Sequence, residues 1–451
     1  MKPARLGDVA ESMKNGMYKP ASEYGDDGIP CLRMYNIDAG GIAWRDIKRM
    51  RVTDAERVDY GLLEGDLLVN RVNSRELVGK TALIPFGMEA SVFESKNIRL
   101  RLRADKARSK FINYQLLASG RHHFASNAQQ VVGMASISQT QLADFPIVLT
   151  GLEQQDEIIA ELDKQFSRLD EAVANLQRVK GNLKRYKASV LKDAVEGRLV
   201  LSEAELARRE GRSFETGEQL LQRILETRRK EWQGRGKYKE PVAANTAGLP
   251  ILPSGWTWAT IEQLTYLVTS GSRGWGDFYS DNGVLFIRAQ DIKTDALNMK
   301  GLARVNVPID AEGSRSSVGA NDILATITGA NVTKSALVPM LSEPAFVSQH
   351  VALLKLTSSD TAAFVFNWLV SPANGRKTLE KWAYGAGKPG LSLEQVRALP
   401  VALPSLAEQT RIVDEVERRL SLVRGVEAEV DANLKRAQAL RQATLAKAFT
   451  P

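Results

Sequence analysis

The chain has 451 residues, of which 43% are hydrophobic and 25% charged, enough apolar material for roughly two to four domain cores and too much for wholesale disorder. No apolar run approaches the roughly 18 to 20 residues of a membrane span, and Met1 to Gly16 is too polar and too acidic for a signal peptide, so a cytoplasmic protein is expected. One cysteine (Cys31) excludes an internal disulfide and a multi-thiolate zinc site, and three histidines argue against metal chemistry; 61 Lys and Arg against 53 Asp and Glu, a formal net charge of +8, permit a polyanionic partner.

Residues 1–150 read as a mixed α and β domain. Apolar, branched runs at Ile29 to Ile37, Asp66 to Val69 and Ile98 to Leu102 are bounded by turn-forming residues, as strands are, and Phe111 to Ala118 has a helical pattern. Polar side chains suited to reading a duplex cluster after two of these strands: Arg33, Tyr35 and Asn36 after the first, and Asn70, Arg71, Asn73, Arg75 and Lys80 after the second. Residues 151–199 follow as a long helix. Its apolar seam, Leu162, Phe166, Leu169, Val173, Leu176, Leu183 and Val190, advances in steps of three, four or seven, and at 1.5 Å per residue a helix from Gly151 to Glu196 would reach roughly 70 Å. Residues 200–255 form a charged, helix-prone connector to Trp232 and then a linker punctuated by Gly, Asn and Pro.

Residues 256–404 and 405–451 repeat the first pattern at a spacing of about 254 residues. Pro146 to Leu149 matches Pro400 to Leu403, and the match runs without a gap through Gln155/Gln409, Ile158/Ile412 and Leu191/Leu445. The front parts match more loosely, with Gly28 to Arg33 against Gly283 to Arg288, and Gly65 to Leu68 against Asn321 to Leu324. The loops corresponding to those of the first half carry Arg288 and Gln290, then Thr326, Thr328, Asn331 and Lys334. The strands follow one another without regular intervening helices, which argues against a doubly wound nucleotide fold.

Catalytic motifs fail on inspection. Gly385 to Gly390 has Trp382 and Pro389 where a Walker loop needs Gly and Ser or Thr, and in Gly271 to Gly276 the bulk of Arg273 and Trp275 blocks close approach to a pyrophosphate. Arg273 and Lys388 in these loops are retained as DNA-contact candidates. Glu94-Ser95-Lys96 has nuclease spacing but no preceding metal-binding Asp, and His350 lies in an apolar run, where a core or edge-strand histidine is expected.

Two divergent domains, each followed by the block Phe145-Pro146 to Gln154-Gln155 and Ile158, or Leu399-Pro400 to Glu408-Gln409 and Ile412, resemble the specificity subunit of type I restriction-modification systems over essentially the whole chain. Asn182 to Leu199 and Leu252 to Trp258 carry the resemblance further. It implies an α+β protein, with two homologous target-recognition domains and two long helices paired as an antiparallel coiled coil. The implied role is that of a non-catalytic reader of double-stranded DNA with no cofactor of its own. Each domain would read one half of a bipartite asymmetric site while two modification subunits methylate adenine and motor-nuclease subunits restrict. A coiled-coil interaction scaffold that binds no DNA, or an orphan specificity-like subunit, is the alternative. Polar interruptions of the two seams, Lys180 and Glu427, leave two readings: one buried ion pair fixing the helix register, with a crossing near Leu176 and Val430, or, as the more ordinary arrangement, two charges that each extend to solvent.

Overall fold

The computed structural model describes residues 1–131, 133–233, 236–271, 273–293, 295–307, 313–385, 387 and 389–449. The chain forms two compact units: Met1–Arg178 with Val430–Pro451, and Val179–Glu429. Among the described residues no helix is long and apolar enough to cross a membrane.

In the first unit four antiparallel strands form the central sheet, in the order Thr81–Leu83, Leu67–Asn70, Asn97–Leu102, Ala10–Asn15. The run Leu67-Leu68-Val69 is apolar throughout because the sheet is covered on both faces. Successive side chains of a strand point to opposite sides, so Leu67 and Val69 enter one core with Phe111 and Phe145, while Leu68 enters another with Leu32 and Phe93. Helix Ser109–Gln115 supplies the first cover. A second sheet, ordered Val92–Phe93, Ile29–Leu32, Lys48–Met50, Tyr24–Gly25, supplies the other. Its pair Val92–Phe93 and Ile29–Leu32 is parallel.

The second unit repeats the plan. Its central sheet runs Thr265–Ser270, Val351–Leu356, Ile323–Thr326, Ser335–Leu337, with Ile323 and Ala325 in one core and Leu324 in another. Its second sheet runs Ala303–Val305, Tyr279–Ile287, Ala345–Val347, Ser317–Val318, and keeps the parallel pair. The two second sheets differ at one edge: Ser317–Val318 extends the second beyond Ala345–Val347, while the pairing of Tyr24 with Met50 has its equivalent in that of Tyr279 with Val305.

The repeated blocks mark points where the backbone is held. Gly65 (φ 81°) and Asn321 (φ 66°) occupy the left-handed region, and the following carboxylates close the turn: Asp66 accepts from Leu63 N (2.9 Å) and Asp322 from Gly319 N (2.7 Å). Each then pairs with a cation on the neighbouring strand, Asp66 with Arg101 (2.8 Å) and Asp322 with Lys355 (2.6 Å). Gln155 and Gln409 are both buried at the start of a long helix. The Gln155 side chain accepts from Arg108 N (2.8 Å) and donates to Thr150 O (2.8 Å), and Gln409 donates to Pro404 O (3.0 Å).

The long helices are Leu152–Val195 and Leu406–Phe449, 44 residues each, close to the expected extent. Gly197 (φ 71°) follows the first; a Cβ there would lie 2.7 Å from Pro253 Cγ, which ties that glycine to the segment opening the second domain. In the first unit the helical segments run antiparallel: Leu162 and Phe166 share a core with Leu445, Asp170 pairs with Arg441, and Phe449 packs edge-on against Phe111 (5.3 Å). In the second unit Val190 and Ala194 share a core with Ile412 and Val416, and Lys187 pairs with Glu427 at 2.6 Å. The register therefore differs from the expected one: Glu427 takes Lys187, one heptad beyond Lys180, so the expected crossing near Leu176 and Val430 is displaced. The cations Lys187 and Arg441 occupy equivalent repeat positions, whereas their carboxylate partners do not.

The connector folds as two helices, Glu203–Glu210 and Gly217–Lys230, separated by Gly211 at φ 65°. Leu220, Leu221 and Ile224 enter the core of the second unit, so the helical part of the connector belongs to that unit's packing. Glu203 pairs with Arg212 (2.7 Å) and Arg411 (2.6 Å). Burial pushes its carboxyl up, but the two guanidinium groups outweigh that and hold it below its ordinary value. Beside it, Glu408 accepts from Trp256 Nε1 and from Glu203 N, both at 2.9 Å, and burial pushes its own carboxyl up.

Candidate nucleic-acid interface

In each unit the candidate loops lie at one end of the two sheets, where the strand of the second sheet and the inner strand of the central sheet both finish. Asn97 Nδ2 donates to Leu32 O (3.3 Å) and Asn70 Nδ2 to Lys96 O (3.0 Å), stitching these strand ends together in the first unit.

The side chains there sort by burial. Asn36 is fully buried and spends its amide on Ala43 O (3.2 Å) and Arg45 O (2.9 Å). Asn70 is also fully buried, and its Oδ1 accepts from Asn73 Nδ2 (2.8 Å). As placed, none of Asn36, Asn70 and Asn73 can reach a base edge. They shape the loops, because a buried amide must satisfy its donors and acceptors internally. Arg71 is half-buried, with long contacts to Ile137 O (3.4 Å) and Ser95 O (3.5 Å), and Lys80 donates to Ile37 O (3.3 Å), tying one loop to the other. The groups presented outward are Tyr35, 62% exposed with the Arg33 guanidinium 5.6 Å over its ring, and Arg75, exposed while its Nε donates to Ala125 O (3.0 Å). Arg33 itself is half-buried and donates to Asp46 O (3.0 Å).

In the second unit Thr326 is the buried counterpart of Asn70, so it too is removed from the contact set. Asn331 donates to Ala289 O (3.1 Å), again joining the two loops; Thr328 and Lys334 are half-buried in the same loop. Arg288 grips Asp291 through two hydrogen bonds (3.0 and 3.1 Å), which raise its guanidinium above the ordinary value. Arg273 and Gln290 are exposed. Lys388 lies outside the described residues.

Arg288 and Gln290 line a cleft of about 330 Å³ together with Trp275, Tyr279, Gln349 and His350. Its aromatic wall is ordered: Trp275 stacks on Phe286 (5.4 Å, 22°), and Tyr279 meets Phe286 edge-on (5.8 Å). His350, expected in a core or edge strand, is half-exposed and borders this cleft. Sequence reasoning passed over Gln349 and Tyr279 altogether. The available signal was Gln349-His350 immediately before a strand whose inner partner leads into a candidate loop.

No family model matches the chain. It is 25% identical to the EcoBI specificity subunit of the type I restriction enzyme of Escherichia coli, over 98% of this chain and 84% of that one. A putative type I restriction enzyme specificity subunit from Methanocaldococcus jannaschii, MjaX, is 34% identical over 163 residues, covering 34% of this chain and 36% of that one. The fold matches a chain solved in work on assembly and conformational transition of the type I R-M system, with a TM-score of 0.62 at 16% identity, over 99% of this chain and 97% of the other. A full-length sequence similarity and a full-length fold match point the same way: the chain is similar to the specificity subunits of type I restriction enzymes.

Proposed function

We propose that the chain reads a bipartite, asymmetric DNA site, one half through each unit, and directs adenine methylation and restriction by partner modification and motor-nuclease subunits. The observation that carries this reading is the duplication itself. The same two-sheet scaffold occurs twice, and at the same end of each copy it presents a different set of Arg, Lys, Gln and aromatic side chains. Cations on such loops supply sequence-independent affinity for phosphate, and amide and guanidinium groups supply discrimination at base edges. The similarity to EcoBI supports the restriction-system setting. S-adenosylmethionine, ATP and magnesium would be the partners' cofactors in this reading.

Mapping methylated adenines in cells carrying the modification subunits, with and without this chain, tests the proposal. A bipartite methylated motif that appears only with the chain is expected. Methylation that is unchanged by the chain, together with no salt-dependent duplex binding by the assembled complex, would reject it in favour of an interaction scaffold.

A further inference from the structure

The cleft of the second unit contains polar atoms that the protein leaves without partners. Ser348 is 7% exposed and its Oγ has no hydrogen-bond partner; Gln349 Oε1 is buried and likewise unpartnered. The Gln349 amide nitrogen stands 3.3 Å from His350 Nε2. Which end of the amide faces the imidazole depends on the histidine tautomer. In either orientation one polar atom of the carboxamide meets His350 and the other is left over. A buried polar group without a partner is costly, and a ligand that supplies the missing partner recovers that cost.

The surroundings specify what the ligand offers. Tyr279, 49% exposed and braced edge-on by Phe286 of the buried Trp275–Phe286 stack, offers its face to a planar heteroaromatic ring, and a carboxamide offers one donor and one acceptor side by side. Adenine presents the complement, an N6 amino donor next to the N7 acceptor. Gln349 is half-buried and unbranched, so it can exchange its single contact with His350 for this edge.

The first unit shows that the position is free to vary. Backbone bonds fix the equivalence: Glu94 N donates to Leu32 O as Ser348 N donates to Ile287 O, and Arg71 N donates to Lys96 O as Ile327 N donates to His350 O. Ser95 therefore stands where Gln349 does. Glu94, in place of Ser348, uses its carboxylate to accept from Met34 N (3.0 Å). The scaffold tolerates either chemistry, and only the second unit carries the carboxamide.

We propose that this cleft receives one base of the half-site read by the second unit, and that Gln349 is the residue that selects adenine there. The inference rests on the DNA-reading function proposed above. The test uses the chain assembled with its modification subunits and a panel of duplexes in which each position of the recognised site is replaced in turn. Gln349→Ala is expected to relax discrimination at a single A·T position by roughly 5- to 140-fold, the range of a good bidentate contact. Gln349→Glu, which can only accept, should move the preference at that position toward cytosine. Discrimination in the other half-site, and at the remaining positions of the same half, should be unchanged, which separates a lost contact from a misfolded unit. Equal weakening at all positions, or unaltered discrimination in both variants, overturns the role of Gln349 while leaving DNA reading intact. Failure of the unsubstituted complex to bind any duplex in a salt-dependent way overturns both.

Discussion

The two units share their backbone and differ in what stands on it. Where the first places Cys31 and Tyr24, the second places Phe286 and Tyr279 at equivalent points of the repeat. In the first unit this region is closed: Cys31 is fully buried, with its thiol pushed up to about 12 by burial and by the nearby Glu94 charge, and so stays protonated and inert. In the second, the larger Phe286 stacks with Trp275 and the carboxylate is replaced by Ser348, and a cleft opens. The sheet hydrogen bonds and the buried Asp66–Arg101 and Asp322–Lys355 pairs survive the exchange. The difference teaches that this scaffold is held by its strand ends and turns, so the side chains above them can diverge without a cost to the fold.

The largest effect expected from breaking the comparison is a change of recognition. If the proposed function holds, replacing residues 1–150 by the equivalent part of a type I restriction enzyme specificity subunit should change one half of the methylated motif and leave the other intact, read by methylome sequencing. If both halves changed together, the units would not be independent readers.

A second prediction sharpens the asymmetry in stability. Glu408→Ala strips the acceptor from Trp256 Nε1 and from Glu203 N, and each orphaned buried donor costs about 1–3 kcal/mol. Denaturant unfolding followed by tryptophan fluorescence should show this loss in the second unit, since Trp256 reports there. The neighbouring Glu203 adds a pH dependence. Its carboxyl titrates below the unfolded value, so its contribution is present above the unfolded carboxylate range and is lost as pH falls through the folded value. Glu203→Gln should flatten that acid limb; an acid limb as steep as in the parent chain would assign the sensitivity elsewhere.

Smaller effects are expected at exposed cations. Arg75→Ala should weaken binding to all duplexes alike and lower the salt slope by about one if the guanidinium meets a phosphate. A loss confined to one base position would make it a base reader instead, and no change in either quantity would remove the loop from the interface. Least of all, the half-exposed Lys187–Glu427 pair should show a coupling of about 0.2–1 kcal/mol in a double-mutant cycle. A coupling near zero would mean that the apolar seam alone sets the register.

Much of this architecture is legible in the sequence because it obeys simple periodicities. Leu67 to Val69 and Ile323 to Ala325 announce buried strands, and the seams announce both long helices within a residue or two. The site is less legible. Asn36, Asn70, Asn73 and Thr326 have the composition of a contact loop and the burial of a core, and only the paths of neighbouring strands reveal that the three amides are spent internally and that Thr326 is covered. The helix register is hard to read for a similar reason. A charged residue in a seam identifies a place where a partner is needed, but the residue that answers it, Lys187 for Glu427, lies 240 residues away and is set by packing that no local pattern displays.

The composition of the first unit bears on how the protein is made. Its strands leave the ribosome first, yet its core is finished by Leu445 and Phe449, near the other end of the chain. The second unit, a continuous stretch from Val179 to Glu429, has all its parts before those residues are synthesised. Vectorial synthesis thus meets a fold whose earliest segment closes last. A nascent chain that stops between Glu429 and Leu445 would carry every residue of the second unit and lack the side chains of Leu445 and Phe449 that pack in the first.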